Sequence, residues 1–304
     1  MHLKDSVSEH ANVPVNGMHL RLLPLRLRLK SETLALDFFS GPLWRSGFGM
    51  ALKNHFPGVF DLLFAEHARL GRLYALQSPL AAVNPGDPFE LGLNLFGAAT
   101  EHAVACTQAV ARLGEMGLGE HRGRYRLLDA RVAGSGSAPF LDVASGLAAW
   151  PVAAGPELWL EQSSGNANLV RIDLRTPLCV KDGNVACCGA FEFSQLVRRL
   201  HKRIAQLCES AGEASPLARP LTEAQLRLAA DVRLMNSELE WVQVKRQSSR
   251  SGQTMVLEGM TGHLIYRGDL APFTGLLALG KVLQLGAKTA FGFGRIDTHF
   301  SFED

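Results

Sequence analysis

The chain has 304 residues, of which 47% are hydrophobic and 20% are charged. This composition excludes a disordered chain, and the length predicts about two domains, each large enough for its own core. The 31 basic and 29 acidic residues leave a net charge of +2, so the overall charge identifies no partner. Because no apolar run approaches a membrane span and the first residues carry no apolar signal core, we expect a soluble, cytoplasmic protein. The five cysteines lack paired CxxC spacing, so no metal site is predicted.

The first half of the chain begins with leucines that alternate with basic residues, which predicts a half-buried strand over residues 18–29. One face of this strand carries Leu25, Leu27 and Leu29, and the other carries Arg26, Arg28 and Lys30. The next elements are predicted as a helix over 44–55 ended by Pro57, a helix over 61–76, a strand over 89–95, a helix over 98–116, and a strand over 122–132 with Arg122, Arg124 and Arg126 on one face.

Residues 134–168 are rich in Gly, Ser, Pro and Ala, and we interpret them as a linker between domains 1–150 and 151–304. The second half is predicted to contain strands over 169–180, 240–247, 254–267 and 290–300, with helices over 191–210, 222–234 and 270–285. Both halves therefore begin with a strand and a helix, continue with strand structure, and end with a helix and a strand. This order predicts an α+β fold made of two tandem ferredoxin-like domains.

The segment from Gly280 to Arg295 is the most distinctive one because glycines recur at positions 280, 286, 292 and 294 among basic residues. Glycines allow a backbone to approach a phosphate closely and to present its N–H groups. The segment follows a helix and enters a strand, and it has neither the P-loop pattern nor the Rossmann order. The alternative is a tight helix-to-strand connection in which glycine permits close packing.

The segment 241–295, with its run of glycines, resembles the C-terminal part of the CRISPR-associated pre-crRNA-processing endoribonucleases of the RAMP superfamily. The resemblance extends over most of residues 18–133 and 168–300, and it is carried there by the motifs Trp44-Arg45-Ser46-Gly47-Phe48-Gly49, Gly123-Arg124, and Arg175-Thr176-Pro177. It implies cleavage of CRISPR repeat RNA by its own 2′-hydroxyl, without metal or nucleotide cofactor, to give a 2′,3′-cyclic phosphate and a 5′-OH. Two alternatives stay open: a non-catalytic RNA-binding subunit of a CRISPR effector, and a metabolic enzyme that binds a nucleotide at the Gly-rich loop. Other CRISPR effector subunits are the expected protein partners.

The resemblance makes His55, at the end of the first helix, the leading acid or base. The alternative for His55 is a histidine that the helix dipole favours at a helix C-terminus. Lys53 and Arg45 lie on the same helix and are further catalytic candidates. Arg45 could hold a phosphate, and the alternative is a solvated charge on the helix. An arginine of the 240–267 hairpin could stabilise the transition state, which adds Arg246 and Arg250 to the catalytic candidates. Gln284 stands before the Gly-rich loop and cannot serve as a base.

A dense run of basic residues on the helix 191–210 is the main candidate for RNA binding. Like charges at i,i+4 repel each other unless phosphates neutralise them, so RNA binding is favoured over a merely solvated face. The predicted RNA-binding residues are Arg198, Arg199, His201, Lys202 and Arg203 on this helix, Lys245 on the hairpin, and Gly286, Lys288, Gly292, Gly294 and Arg295 at the Gly-rich loop.

Overall fold

Two antiparallel sheets, each packed against helices, make up the fold. A computed structural model describes residues 20–64, 71–134, 138–155, 167–182, 185–186, 189–212, 220–247 and 254–302. In this part of the chain, no helix is long and apolar enough to cross a membrane.

The first sheet has the strand order β2-β3-β1-β4-β5-β6. Its strands and the accompanying helices are β1 (Leu22–Ser31), α1 (Gly41–His55), α2 (Pro57–Phe64), β2 (Tyr74–Gln77), β3 (Pro88–Phe96), α3 (Ala103–Met116), β4 (Tyr125–Val132), β5 (Leu141–Asp142) and β6 (Leu147–Ala148). A 3₁₀ turn, Gly97–His102, leads into α3.

The second sheet has the order β10-β11-β7-β12, and a separate small hairpin lies beside it. Its elements are β7 (Leu169–Leu178), the hairpin strands β8 (Lys181–Asp182) and β9 (Val185–Ala186), α4 (Phe193–Ala211), α5 (Glu223–Asp231), β10 (Arg233–Gln247), β11 (Thr254–Arg267), α6 (Thr274–Leu283) and β12 (Ile296–Ser301). The order β10-β11-β7-β12 repeats the order β2-β3-β1-β4, so the predicted tandem ferredoxin-like fold is confirmed.

The predicted alternation along β1 is also confirmed. Leu25, Leu27 and Leu29 are buried, whereas Arg28 is exposed on the opposite face. β1 pairs antiparallel with both β3 and β4, which places it at the centre of the ferredoxin-like part of the sheet. Burial of its leucines against the helices is the main contribution of this strand to the core.

The prediction around residues 61–76 is wrong in part. The first helix ends at His55, before Pro57, as predicted. Pro57 then begins a separate short helix, α2, because the first helical position does not need the N–H that proline lacks. The residues at the end of the predicted helix instead form the strand β2, whose four residues are all buried. A strand that is buried on both faces has no alternation of apolar and polar residues that could identify it.

Two further boundaries differ from the prediction. The strand predicted over 122–132 begins at Tyr125, and Arg122 lies in the preceding turn with φ 47°, so the three arginines do not share one strand face. Within the segment predicted as a linker, the described residues 138–155 instead add β5 and β6 to the first sheet, and Leu22 and Ala154 exchange two backbone hydrogen bonds of 2.9 Å. The domain boundary at residue 150 stays a prediction.

Candidate functional site

The Gly-rich loop, residues 286–294, needs glycine because its backbone packs closely against its own domain. Gly286 and Gly294 have φ values of 78° and 72°. A Cβ atom at Gly294 would lie 1.8 Å from the carbonyl oxygen of Leu285, and one at Gly286 would lie 2.5 Å from that of Cys179. Neither position can accept a side chain without displacing the backbone.

Several N–H groups of the loop are already bonded inside the protein. The N–H of Ala287 donates to the carbonyl of Cys179 at 2.9 Å, and that of Gly294 donates to the carbonyl of Pro177 at 2.9 Å. The N–H of Gly292 donates to Thr289 at 2.9 Å within the loop. These donors therefore do not form a phosphate cradle, and any role of Gly286, Gly292 and Gly294 in RNA binding depends on the shape of the loop.

The loop packs against the first domain at the start of α1. The rings of Phe39 and Phe293 make an edge-to-face contact with centroids 5.1 Å apart. A Cβ atom at Gly41 would lie 2.0 Å from the carbonyl oxygen of Phe291, so the helix begins directly on the loop. The Arg45 guanidinium lies 4.3 Å from the centroid of the Phe291 ring, a cation–π distance. The structure thus brings together Arg45 and the Gly-rich loop, both predicted from the sequence.

The other two predicted residues of α1 lie toward its opposite end. Lys53 and His55 are both exposed, and the His55 ring lies 6.5 Å from that of Phe56. At a rise of about 1.5 Å per residue, they are roughly 12 and 15 Å along the helix from Arg45. The structure therefore does not assemble these three side chains into one cluster.

The β10–β11 hairpin reaches the same loop through its apolar side chains. Val244 and Leu257 pack in a small cluster with Phe39, Cys179 and Phe293. Further along the hairpin, Lys245 and Arg246 are the register partners of Val256 and Met255. Arg250 lies outside the described residues.

The basic helix α4 presents only part of its predicted set to solvent. Arg198 and Lys202, one turn apart, are exposed, whereas His201 is half-buried. The half-buried Arg199 places its guanidinium 6.0 Å from the centroid of the Phe191 ring. The exposed pair is the part of the helix that a polyanion can reach.

Arg203 corrects the prediction for this helix because it lies in the core between the domains. Its Nε donates to the carbonyl of Leu283 at 3.3 Å, and its guanidinium lies 5.9 Å from the centroid of the Phe96 ring. Burial lowers the pKa of Arg203 to about 10. Arg203 joins α4 to β3 and α6, and it is not on the exposed face.

A cleft of about 520 Å³ lies beside the loop, between Arg295 and the first sheet, and Gln77, Glu90 and Gly92 also line it. Burial lowers the pKa of Arg295, while the carboxylate of Asp297 acts in the opposite direction. At the loop itself, the Lys288 ammonium lies 5.5 Å from the centroid of the Phe293 ring. Both basic residues are half-buried at the loop surface.

Two buried amides join the domains beneath the loop, and the sequence analysis did not assign them this role. The Nε2 of Gln284 donates to the carbonyls of Leu76 at 3.1 Å and Phe293 at 3.0 Å. The Nδ2 of Asn94 donates to the carbonyl of Val282 at 2.7 Å. Each amide interrupts an apolar run, Leu283-Gln284-Leu285 or Leu93-Asn94-Leu95, which is the signal that could have identified them.

Comparisons with known proteins agree with the tandem ferredoxin-like fold described above. Residues 172–296 match the family model of the CRISPR-associated endoribonuclease Cas6, and residues 65–144 match a model described as an N-terminal domain. No curated protein matches the sequence.

Among solved structures, Thermus thermophilus Cas6 (TTHB231) superposes with a TM-score of 0.58 at 16% identity, covering 93% of this chain and 100% of that chain. The Cas6 (TTHB231) product complex gives 0.59 at 18% identity, covering 91% of this chain and 99% of that chain. A partial Cas6-RT-Cas1–Cas2 complex gives 0.62 at 14% identity, covering 95% of this chain and 48% of that chain. The sequence match over residues 172–296 and the shared fold confirm the resemblance to the CRISPR-associated pre-crRNA-processing endoribonucleases.

Proposed function

We propose that this protein binds the repeat of a CRISPR precursor transcript and cleaves it without a metal ion. The 2′-hydroxyl attacks the adjacent phosphorus, the bond to the 5′-oxygen breaks, and the products carry a 2′,3′-cyclic phosphate and a 5′-OH. The cleaved RNA stays bound, and the protein enters a CRISPR effector in the cytoplasm as one of its subunits. The match of residues 172–296 to the Cas6 model supports RNA processing, and the site at α1 and the Gly-rich loop supports this chemistry.

The contact between Arg45 and Phe291 is the observation that carries the proposal. It fixes a cation of the first domain at the surface of the Gly-rich loop. A guanidinium at this position can stabilise the charge that develops on the phosphorane. The attacking and leaving oxygens must then be held in line with the phosphorus, which is the positioning task of the bound RNA.

Proton transfer is assigned to the exposed end of α1. His55 takes or supplies a proton, and Lys53 contributes charge from the preceding turn. Proton transfer requires hydrogen-bond distance to the 2′-hydroxyl or the 5′-oxygen, so this assignment requires the His55 and Arg45 side chains to extend along α1 toward the same phosphate. The exposed Arg198 and Lys202 on α4 bind phosphates away from the reacting nucleotide, with Arg199, His201 and Lys245 as further RNA-binding candidates.

A non-catalytic RNA-binding subunit is the second candidate, because Lys53 and His55 do not share a cluster with Arg45. Incubation of the full chain with 5′-labelled repeat RNA from its own locus, in excess EDTA, separates the two. We expect one discrete cut with a 2′,3′-cyclic phosphate at the new end. Cleavage that requires Mg²⁺ or leaves a 3′-OH contradicts the mechanism, and tight binding without cleavage favours the second candidate.

A further inference from the structure

A second cleft between the domains, of about 340 Å³, is lined by both of them. Phe38 and Leu80 line it from the first domain, and Arg171, Arg175 and His263 line it from the second sheet. Leu80 also lines the larger cleft beside Arg295, so the two clefts adjoin each other. None of the residues that line this second cleft was assigned a role by the sequence analysis.

Phe38 lines the cleft with an exposed aromatic ring. Phe38 is 59% exposed, whereas its neighbour Phe39 is 8% exposed and packs on Phe293 of the Gly-rich loop. Phe39 has φ 63°, a left-handed conformation that is uncommon for a large side chain. Because the Phe39 ring packs against the loop, Phe38 is the ring of this pair that lines the cleft. An exposed aromatic ring in a cleft that is also lined by arginines is suited to stacking on a nucleic-acid base.

Carboxylates orient the two arginines that face this ring. The Nε of Arg171 donates to Oδ1 of Asp173 at 2.7 Å, and the Nε of Arg175 lies 3.4 Å from Oδ2 of Asp297. His299 approaches the other oxygen of Asp173, with its Nε2 3.2 Å away. Both arginine side chains remain about half exposed, at 48% and 45%. Since a guanidinium carries five N–H donors, each arginine keeps donors for a phosphate or for a base edge.

The charge balance of the cleft indicates how much RNA it holds. The two arginines are paired with two carboxylates. The cleft therefore attracts the phosphate backbone of an RNA helix far less than a row of unpaired basic side chains does. The volume, the single aromatic ring and the oriented donors are suited to one unpaired nucleotide. In RNA recognition, unpaired bases are the ones free to stack on aromatic side chains and to expose their edges.

We propose that this cleft binds an unpaired nucleotide of the repeat RNA, with its base stacked on Phe38 and its phosphate or base edge held by Arg171 and Arg175. The proposal rests on the proposed function in taking repeat RNA as the ligand. Because Phe38 and Phe39 are adjacent, a nucleotide stacked on Phe38 lies next to the contact between the first domain and the Gly-rich loop. The pocket thereby fixes the register of the RNA relative to the loop.

The test measures the affinity of the full chain for an uncleavable repeat RNA that carries a 2′-deoxy nucleotide at the cut site. Loss of one base–aromatic stack predicts that Phe38→Ala weakens binding about tenfold, while Phe38→Tyr retains it. Phe302→Ala removes an equally exposed phenylalanine (64%) and is expected to leave binding unchanged. With an RNA trimmed to its base-paired stem, the Phe38→Ala effect disappears.

The outcomes separate this proposal from the proposed function. If the unsubstituted chain binds and cleaves the repeat while Phe38→Ala binds equally well, the nucleotide pocket is wrong and the nuclease assignment stands. An equal loss for Phe38→Ala with full-length and stem-only RNA also overturns the pocket. If the unsubstituted chain binds no repeat RNA, both proposals fail. Thermal unfolding of Phe38→Ala and Phe302→Ala, expected to match the parent, checks that the fold is retained.

Discussion

The guanidinium of Arg45 lies 4.3 Å from the centroid of the Phe291 ring, so a residue of the first helix rests on the loop near the end of the chain. It also lies 5.3 Å from the centroid of the Phe64 ring, between α2 and the loop. Burial raises the pKa of the adjacent Tyr74 to about 12, although Arg45 and Arg72 act in the opposite direction. Arg45 is therefore held by aromatic rings from both domains beside a neutral phenol.

Replacement of Arg45 by alanine is expected to reduce repeat-RNA cleavage more than RNA binding, because it removes charge at the loop while the other basic residues remain. The lost cation–π contact also lowers the free energy of unfolding by about 1 kcal/mol. Single-turnover cleavage and denaturant unfolding measure the two effects. Arg112→Ala, on the exposed side of α3, is the matched control, and equal cleavage by both variants would remove Arg45 from the site.

His55→Ala is expected to lower the cleavage rate by about 10²–10⁴-fold, the contribution typical of a general acid or base, with little change in RNA affinity. Single-turnover cleavage measures the rate. His121→Ala changes another exposed histidine and should retain the parent rate. Full activity in His55→Ala would leave the catalytic proton transfer to a different group.

The double substitution Arg198→Ala with Lys202→Ala is expected to weaken RNA binding and to reduce its salt dependence by about one to two phosphate contacts. Arg203→Met should leave the salt dependence unchanged, because the Arg203 side chain is buried between the domains. Titrations at several salt concentrations measure both. A change of slope in Arg203→Met, or none in the double variant, would contradict the assignment of the exposed face.

Gln284→Leu is expected to lower the free energy of unfolding by about 1–3 kcal/mol, because the buried carbonyls of Leu76 and Phe293 lose their donor. Gln243→Leu, where the exposed amide donates to Glu258, should cost less than about 0.5 kcal/mol. Chemical denaturation compares the two variants. An unchanged stability in Gln284→Leu would show that this amide does not hold the domains together.

Much of the fold was predictable because most of its strands are half-buried. The alternation in β1 predicted which residues face the core, and the predicted strand over 254–267 coincides with β11. β2 was missed because a strand buried on both faces has no period of two. β5 and β6 were missed because strands of two residues carry too little pattern to separate them from a Gly-rich linker.

The candidate site was only partly predictable, since it depends on contacts between distant segments. Arg45 and the Gly-rich loop were identified separately, but nothing local indicates that one packs on the other. Arg203 was placed on the basic face of α4, although its spacing from the buried Leu200 and Leu207 is that of the apolar stripe. The basic run was identified from its composition, whereas the helical periodicity indicates that Arg203 lies on the buried face.

The most direct test of the proposed chemistry compares two repeat RNAs that differ only in a 2′-deoxy nucleotide on the 5′ side of the cut. The full chain should bind both with equal affinity in EDTA and cleave only the RNA that has the 2′-hydroxyl, leaving a 2′,3′-cyclic phosphate. Cleavage of the deoxy-substituted RNA at the same position would contradict attack by the 2′-hydroxyl and, with it, the proposed mechanism.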